Sequence, residues 1–156
     1  MKRLKGRTVK KPLQRLGASN SASPARHESS RKRLSRMFTG DAAEFYSKLL
    51  NDAGRRIPRA SRHYIDCGPV ILALVDVTAG GEEAKPLPDK IYFAVNDLEE
   101  VYARARELGC LSTEDVHGAS AGEIVVRPWG ERSFYVHDPW GNGVCFVDDK
   151  TLFTGR

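Results

Sequence analysis

The sequence predicts an α+β fold made of two βαβββ units, each with one strand, one helix and about three further strands. Two observations predict this fold: a helix sequence that occurs twice, and a run of strand-like segments after each copy. A third observation, the pairing of proline with glycine around these segments, indicates turns between strands. The 156 residues suffice for one domain with a hydrophobic core of its own.

The repeated helix is seen in the segments DAAEFYSKLL and DLEEVYARAR, which start at Asp41 and Asp97. The two segments also share a glutamate and a tyrosine at matching positions: Glu44 with Glu100, and Tyr46 with Tyr102. An aspartate at this position suits a helix N-cap. Each predicted helix ends near a glycine suited to the left-handed C-terminal position, Gly54 or Gly109. The sequence therefore contains a duplicated unit.

Segments rich in β-branched and aromatic residues follow each helix. They are RHYIDCG and VILALVD after the first helix, and IVVRPWG, RSFYVHD and GVCFVD after the second. Before the second helix, KIYFAVN alternates apolar Ile91, Phe93 and Val95 with Lys90, Tyr92 and Ala94. This alternation predicts a strand with one face on a helix and the other face in a different environment.

The first strand of the first unit is the weakest element of the prediction. The segment RLSRMF (residues 33–38) has Ser35 and Arg36 where alternating apolar residues are expected. This strand is either weakly paired at a sheet edge or completed by a partner subunit.

Both tryptophans lie in Pro-Trp-Gly triplets, at residues 128–130 and 139–141, which flank the strand RSFYVH. Proline presets φ and glycine supplies a positive φ, so the triplets predict turns at both ends of this strand. Each tryptophan is then an aromatic lid over the end of a sheet, with a pocket wall as the alternative for Trp129.

Charge divides the chain unevenly. Residues 1–36 hold 12 of the 25 Lys and Arg residues but only one of the 20 acidic residues, Glu28. Residues 1–33 have no apolar periodicity, and we interpret them as a mostly disordered basic arm. Such an arm could bind nucleic acid or an anionic membrane surface, act as a transit peptide, or be a solvated tail.

We divide the sequence into the arm (1–33), one domain (34–150) and a tail (151–156). The domain comprises module one (34–77), a linker (78–88) and module two (89–150). No apolar stretch approaches the ~20 residues of a membrane span. Three cysteines in no C-x-x-C spacing, Cys67, Cys110 and Cys145, indicate reduced thiols and a soluble cytoplasmic protein.

The two units, with DPWGN before the final strand and D-x-x-E-x-Y at the start of each helix, resemble the vicinal oxygen chelate superfamily. This superfamily includes glyoxalase, bleomycin-resistance proteins and extradiol dioxygenases. The resemblance covers about residues 34–150. It implies that the two modules form a curled mixed sheet around a shared cleft, with the helices on the outside, and that the protein is a homodimer.

The resemblance also implies where metal ligands would lie, in the first and last strands of each module. The matching positions are Lys90, Cys145, Ala73 and, less securely, Leu34. None of them is a histidine or glutamate, so we expect neither a metal nor another cofactor. The histidines offer another metal site only if several converge; they are His27, His63, His117 and His137.

The preferred function is therefore binding of a small organic molecule in the cleft, without a metal. The candidate ligand-binding residues are Tyr92, Trp129, Arg132, Lys90, Cys145 and His63. Catalytic residues cannot be assigned; Cys145 is either a nucleophile or a small apolar residue in the place of a glutamate. We interpret Glu123 with Arg127, and Glu131 with Arg132, as surface or turn ion pairs.

Two alternative functions remain. One is a lyase, isomerase or dioxygenase that uses a nonstandard metal site, with residues such as His63 and His137, or no metal. The other is nucleic-acid binding through the basic arm.

Overall fold

The computed structural model describes residues 39–153. The predicted arm and first strand, with His27 and Leu34, lie outside the described residues, as does the end of the predicted tail. The hypothesis of nucleic-acid binding depends on that arm. No helix within residues 39–153 is long and apolar enough to cross a membrane.

The described residues form two α-helices, a short 3-10 helix and nine strands. The helices are α1 (Thr39–Leu50) and α2 (Leu98–Glu107), and the 3-10 helix is Val77–Gly80. The strands are β1 (Arg55–Arg56), β2 (Arg62–Cys67), β3 (Val70–Val75), β4 (Ile91–Val95), β5 (Asp115–Val116), β6 (Ala119–Ser120), β7 (Val125–Val126), β8 (Arg132–His137) and β9 (Gly143–Asp148).

In this part of the chain the strands make three sheets. An antiparallel sheet has the order β1-β2-β3, and a mixed sheet has the order β4-β9-β8-β7. Strand β4 runs parallel to β9. Strand β9 pairs antiparallel with β8, and β8 pairs antiparallel with β7. Strands β5 and β6 pair as a small hairpin. Mixed sheets with two helices confirm the predicted α+β class.

Each helix packs on its own sheet. Helix α1 contacts β2 and β3, helix α2 contacts β8 and β9, and the helices contact each other. The largest core side chains between these layers are Leu49, Ile65, Leu98, Phe134, Val136, Val144 and Phe146. Burying these apolar side chains is the main favourable contribution to folding.

The two helices end differently. Helix α2 follows the prediction: the Asp97 side chain accepts a hydrogen bond from Glu100 N, and Gly109 has φ 64°. Helix α1 begins at Thr39, so Asp41 lies in its first turn, and Asn51 takes the left-handed position with φ 54°. Gly54 instead allows a close approach to β2, because a Cβ there would lie 2.5 Å from the Tyr64 carbonyl oxygen.

The connections after the two helices differ in length. Residues 51–54 join α1 to β1, whereas residues 108–124 join α2 to β7 and contain the β5–β6 hairpin. The tip of the hairpin is His117-Gly118, both with positive φ. Two consecutive residues of this kind make the tight turn that matches the twist of a hairpin.

Alternation in β4 is as predicted. Ile91, Phe93 and Val95 pack on the core, and the Phe93 ring stacks on Phe146 with centroids 5.6 Å apart. Tyr92 points to the opposite side and is 58% exposed. We call this side of each sheet, turned away from the helices, the inner face.

A buried hydrogen bond joins α1 to the turn between β8 and β9. The Tyr46 hydroxyl donates to Asp138 Oδ2 at 2.8 Å, and both residues are buried. Burial, followed by the Asp138 carboxylate, raises the pKa of Tyr46, so the phenol remains a donor. Asp138 also accepts hydrogen bonds from Trp140 N and from the backbone and side chain of Asn142. The predicted DPWGN turn is thus held around one carboxylate.

Trp140 contributes to the same junction. Its ring lies edge-on to Phe45 of α1, with centroids 6.3 Å apart. The side chain packs against the main core cluster. This tryptophan therefore connects the end of the β8–β9 pair to the first helix.

Replacing Tyr46 with phenylalanine tests the junction. We expect Tyr46→Phe to lower the free energy of unfolding by about 2 kcal/mol, because a buried carboxylate loses a donor. Chemical denaturation measures this loss. The matched control is Tyr102→Phe: Tyr102 occupies the equivalent place in α2 and packs edge-on against Phe134, and residues 39–153 supply no hydrogen-bond partner to its hydroxyl. Equal losses in the two variants would contradict this role of the hydrogen bond.

Candidate functional site

Three adjacent side chains form the centre of the inner face of the four-stranded sheet. Tyr92 on β4 lies opposite Cys145 on β9, and Cys145 lies opposite Tyr135 on β8. The rings of Tyr92 and Tyr135 meet edge to face with centroids 6.5 Å apart. Tyr135 and Cys145 are buried, at 4% and 1% exposure, whereas Tyr92 is exposed. The site therefore has one accessible aromatic ring beside a buried tyrosine and thiol.

Two cations lie against the Tyr135 ring. The Lys90 Nζ is 5.0 Å from the ring centroid, and the Arg127 Cζ is 5.1 Å from it. Both distances are within the range of cation–π attraction. Lys90 also lies 3.6 Å from Glu114 Oε2, and the other Glu114 oxygen lies 3.7 Å from His137 Nε2. The two cations thus meet at the Tyr135 ring, and Glu114 balances part of their charge.

Arg127 differs from the surface residue that the sequence predicted. It is 2% exposed, and it forms no ion pair with Glu123 or with any other carboxylate among residues 39–153. Its guanidinium donates to Ser133 Oγ at 3.2 Å and to three carbonyl oxygens, of Val116, Ser120 and Ser133, each at 3.4 Å. The prediction was wrong because only the tertiary fold covers this side chain with the hairpin.

Burial controls the chemistry of Cys145. It raises the pKa of the thiol to about 12, against smaller opposing effects of Tyr135, Ser133 and Arg127. A thiol with this pKa holds its proton at neutral pH, and the thiolate is the nucleophilic form. The geometry therefore favours Cys145 as a packing residue over Cys145 as a nucleophile.

Trp129 lies at the edge of this site. Its ring meets the His117 ring edge to face at 5.0 Å, and its Nε1 donates to Glu131 Oε2 at 2.6 Å. The side chain is exposed. It contacts the tip of the β5–β6 hairpin, away from the three central residues.

Arg132 and His63 lie away from the inner face. Arg132 forms ion pairs with Glu99 of α2 and, at 3.3 Å, with Asp148, which places it on the helix side of its sheet; the expected pair with Glu131 is not formed. His63 is in the other sheet, opposite Leu74, and its Nε2 lies 2.9 Å from the carbonyl oxygen of Ala53. Of the six predicted residues, the structure brings together Lys90, Tyr92 and Cys145.

A separate cavity of about 310 Å³ lies between α1, β3, the linker and the β8–β9 turn. Its walls are mainly apolar, and include Leu72, Leu87 and Trp140. The polar groups Tyr46 and Asp138 at its edge are hydrogen-bonded to each other. Lys85 and Glu83 also line this cavity.

Comparison with known proteins shows the fold. No family model matches the chain, and no curated protein matches its sequence. The chain is similar to the solved structure of oxidase ChaP-H2, with a TM-score of 0.53 and 23% identity over 70% of this chain and 84% of that one. It is also similar to TioX from Micromonospora sp. ML1, with a TM-score of 0.52 and 17% identity over 73% and 90% of the two chains.

A third similar structure is a member of the glyoxalase/bleomycin resistance protein/dioxygenase superfamily from Sphaerobacter thermophilus DSM 20745. Its TM-score is 0.49 and its identity 20%, over 70% of this chain and 86% of that one. The chain therefore shares its fold with oxidase ChaP-H2 and TioX. At these identities the likeness concerns the fold and not the activity.

The positions at which the resemblance to the vicinal oxygen chelate superfamily implies metal ligands hold Lys90, Cys145 and Ala73 among the described residues. No group of three or more His, Cys, Asp and Glu residues in the described range could hold a metal ion. Lys90 offers an ammonium and Cys145 a protonated thiol, and neither is a suitable ligand for a divalent ion in this form. His63 and His137 lie in different sheets. Leu34 is outside the described residues.

The pH dependence of stability tests the environment of Cys145. Its pKa is about 12 in the fold and about 8.5 in an unfolded chain. Above pH ~8.5 the unfolded state therefore binds fewer protons, and the free energy of unfolding falls by about 1.4 kcal/mol per pH unit. Between pH 7.5 and 10, under reducing conditions, we expect wild type to lose about 2 kcal/mol more than Cys145→Ala in urea unfolding. Parallel losses would show that Cys145 ionises normally in the fold.

Proposed function

We propose that the protein binds a small organic molecule without a metal, as bleomycin-resistance proteins do. The ligand would lie on the inner face of the four-stranded sheet. The observation that carries the proposal is the exposed ring of Tyr92, which meets the Tyr135 ring edge to face, with the Lys90 ammonium 5.0 Å from the centroid of the Tyr135 ring. An exposed aromatic ring with a nearby cation suits an aromatic or apolar molecule that has an anionic group.

The proposed cleft lies between two βαβββ modules, with the boundaries 34–77 and 89–150. Their strand registers support this division. Tyr64 lies opposite Ala73 in the three-stranded sheet, as Tyr135 lies opposite Cys145 in the four-stranded sheet. A cation also lies near the Tyr64 ring, since Arg55 Cζ is 5.9 Å from its centroid. The two halves therefore repeat the same inner-face arrangement.

Ligand binding tests the proposal directly. Aromatic carboxylates, beginning with 1-naphthoate, should raise the melting temperature of wild type, since a ligand stabilises the state that binds it. We expect Tyr92→Ala and Lys90→Met each to weaken binding by about tenfold, which corresponds to ~1.4 kcal/mol in calorimetry.

Arg132→Met is the matched control, because it removes a cation from the opposite side of the same sheet. We expect its affinity to equal that of wild type. Elemental analysis of the purified protein gives a second control: about one equivalent of a bound divalent metal would contradict the proposal and favour an enzyme with a nonstandard metal site.

We also propose that the protein is a homodimer in the cytoplasm. The inner face of the three-stranded sheet exposes Ile71 and Val75, at 50% and 48% exposure, together with Ala73. Adjacent exposed apolar residues are typical of an interaction surface. The three cysteines are free thiols, which suits a reducing compartment.

A charge in this apolar patch should separate the subunits. We expect Val75→Glu to convert a dimer to a monomer in analytical ultracentrifugation, because burying an unpaired carboxylate is unfavourable. Val126→Glu is the control, since Val126 is 69% exposed on β7, in the other sheet. A monomeric wild type, or dimers in both variants, would contradict this interface.

A further inference from the structure

The β5–β6 hairpin covers the inner face of the four-stranded sheet. Tyr135, Cys145 and Val147 are at most 4% exposed, and with Ala121 they form a small cluster against which Val116 of the hairpin packs. The outer side of the hairpin is open: Asp115, His117 and Gly118 are exposed. In the described residues β5 and β6 pair only with each other. The hairpin is therefore a thin cover that belongs to no larger sheet.

Side-chain contacts hold this cover in place. Arg127 donates through Nη1 to Val116 O of β5 and through Nη2 to Ser120 O of β6, both at 3.4 Å. The same guanidinium is anchored to the sheet through Ser133 Oγ. At the tip, the Trp129 ring contacts His117. The 3.4 Å hydrogen bonds are long and correspondingly weak. The base of the hairpin is held more firmly, since Tyr135 N donates to Ala121 O at 2.7 Å and Ser112 N donates to Tyr135 O at 2.9 Å. Opening of residues 115–120 alone leaves these base hydrogen bonds in place.

Arg127 also carries a charge without an opposite charge beside it. It is 2% exposed and forms no ion pair with a carboxylate in residues 39–153. Burying a cation is costly unless an anion or strong hydrogen bonds compensate it. Hydrogen bonds to three carbonyl oxygens at 3.4 Å compensate it only in part. A carboxylate would form two shorter, charge-assisted hydrogen bonds with the same guanidinium.

We propose that the hairpin is a lid over the ligand site, and that Arg127, which holds the lid closed, binds the anionic group of the ligand when the lid opens. This inference rests on the proposed binding function and specifies its ligand as an aromatic carboxylate. The carboxylate replaces the carbonyl oxygens of Val116 and Ser120. The aromatic part of the ligand lies against Tyr92, which is already exposed, and against Tyr135, which the open lid exposes. Ligand binding thus draws on an open form of low population.

The lid is tested by alkylation of two buried cysteines with iodoacetamide, followed site by site with mass spectrometry. Cys145 lies beneath the hairpin, whereas Cys110 lies in the main core and reports opening of that core. Arg127→Met should raise the alkylation rate of Cys145 at least about tenfold and leave Cys110 unchanged, because only the lid is released. Arg132→Met is the matched control and should alter neither rate.

The second variant is Trp129→Ala, which removes the exposed contact at the tip and decides the test if Arg127→Met does not fold. Trp129→Ala should raise the alkylation rate of Cys145 by less than Arg127→Met does, and leave the rate of Cys110 unchanged. Equal increases in the alkylation rates of Cys145 and Cys110 would show that the whole fold is loosened, and would overturn the lid proposal. An unchanged Cys145 rate in both variants would overturn it as well.

The anion-binding role is tested with 1-naphthoate and its neutral analogue 1-naphthamide. Wild type and Arg132→Met should bind 1-naphthoate more tightly than 1-naphthamide. In Arg127→Met the ratio of the two affinities should be about tenfold smaller. An undiminished preference in Arg127→Met would overturn the role of Arg127 while the proposed binding function stands. Selective alkylation of Cys145 in a protein that binds neither compound would support the lid and contradict the binding function.

Discussion

The hydrogen bond between Tyr46 and Asp138 joins positions 92 residues apart and links the layers of the two sheets. Helix α1 carries Tyr46 and packs on the three-stranded sheet, while Asp138 ends β8 of the other sheet. The same carboxylate holds the turn into β9 through Trp140 and Asn142. That turn sets the register of β8 with β9, and so places Cys145 opposite Tyr135. The buried Asp138 side chain therefore links the core to the residue pairing on the inner face. Breaking its contacts would leave its charge unpaired.

The two faces of the four-stranded sheet use their side chains differently. The helix face is filled mainly by apolar side chains, with the ion pairs of Arg132 at its edge. The inner face combines a neutral thiol, a buried guanidinium and an exposed tyrosine. Low polarity strengthens electrostatic interactions there, so the same surroundings that keep the Cys145 proton in place also increase the affinity of Arg127 for an anion. The chemistry of the site follows from burial more than from the identity of any one residue.

Much of the fold could be predicted from local pattern. Strands β8 and β9 were predicted from their β-branched and aromatic residues and the proline–glycine turns beside them, and helix α2 from its aspartate cap and its repeat. The β5–β6 hairpin was not predicted, since TEDVHGAS is short, polar and without alternation. Arg127 was misread for a related reason: nothing near it in sequence distinguishes a guanidinium that tertiary contacts will bury. Tyr92 was predicted from alternation in its strand, and Lys90 and Cys145 from the strand positions that the resemblance implies. Arg132 and His63 were misplaced, because each has a polar partner on the helix side of its sheet.

The connections that follow the two helices differ in length, and so the two sheets differ in how they are covered. The connection of residues 51–54 is too short to fold over the first sheet, whereas the longer one of residues 108–124 folds over the second. Insertions and deletions in such surface connections are tolerated far better than changes in a packed core. A lineage with this scaffold can therefore change how much of one sheet face is covered by changing the length of a single loop, while the packed core and the other sheet stay as they are.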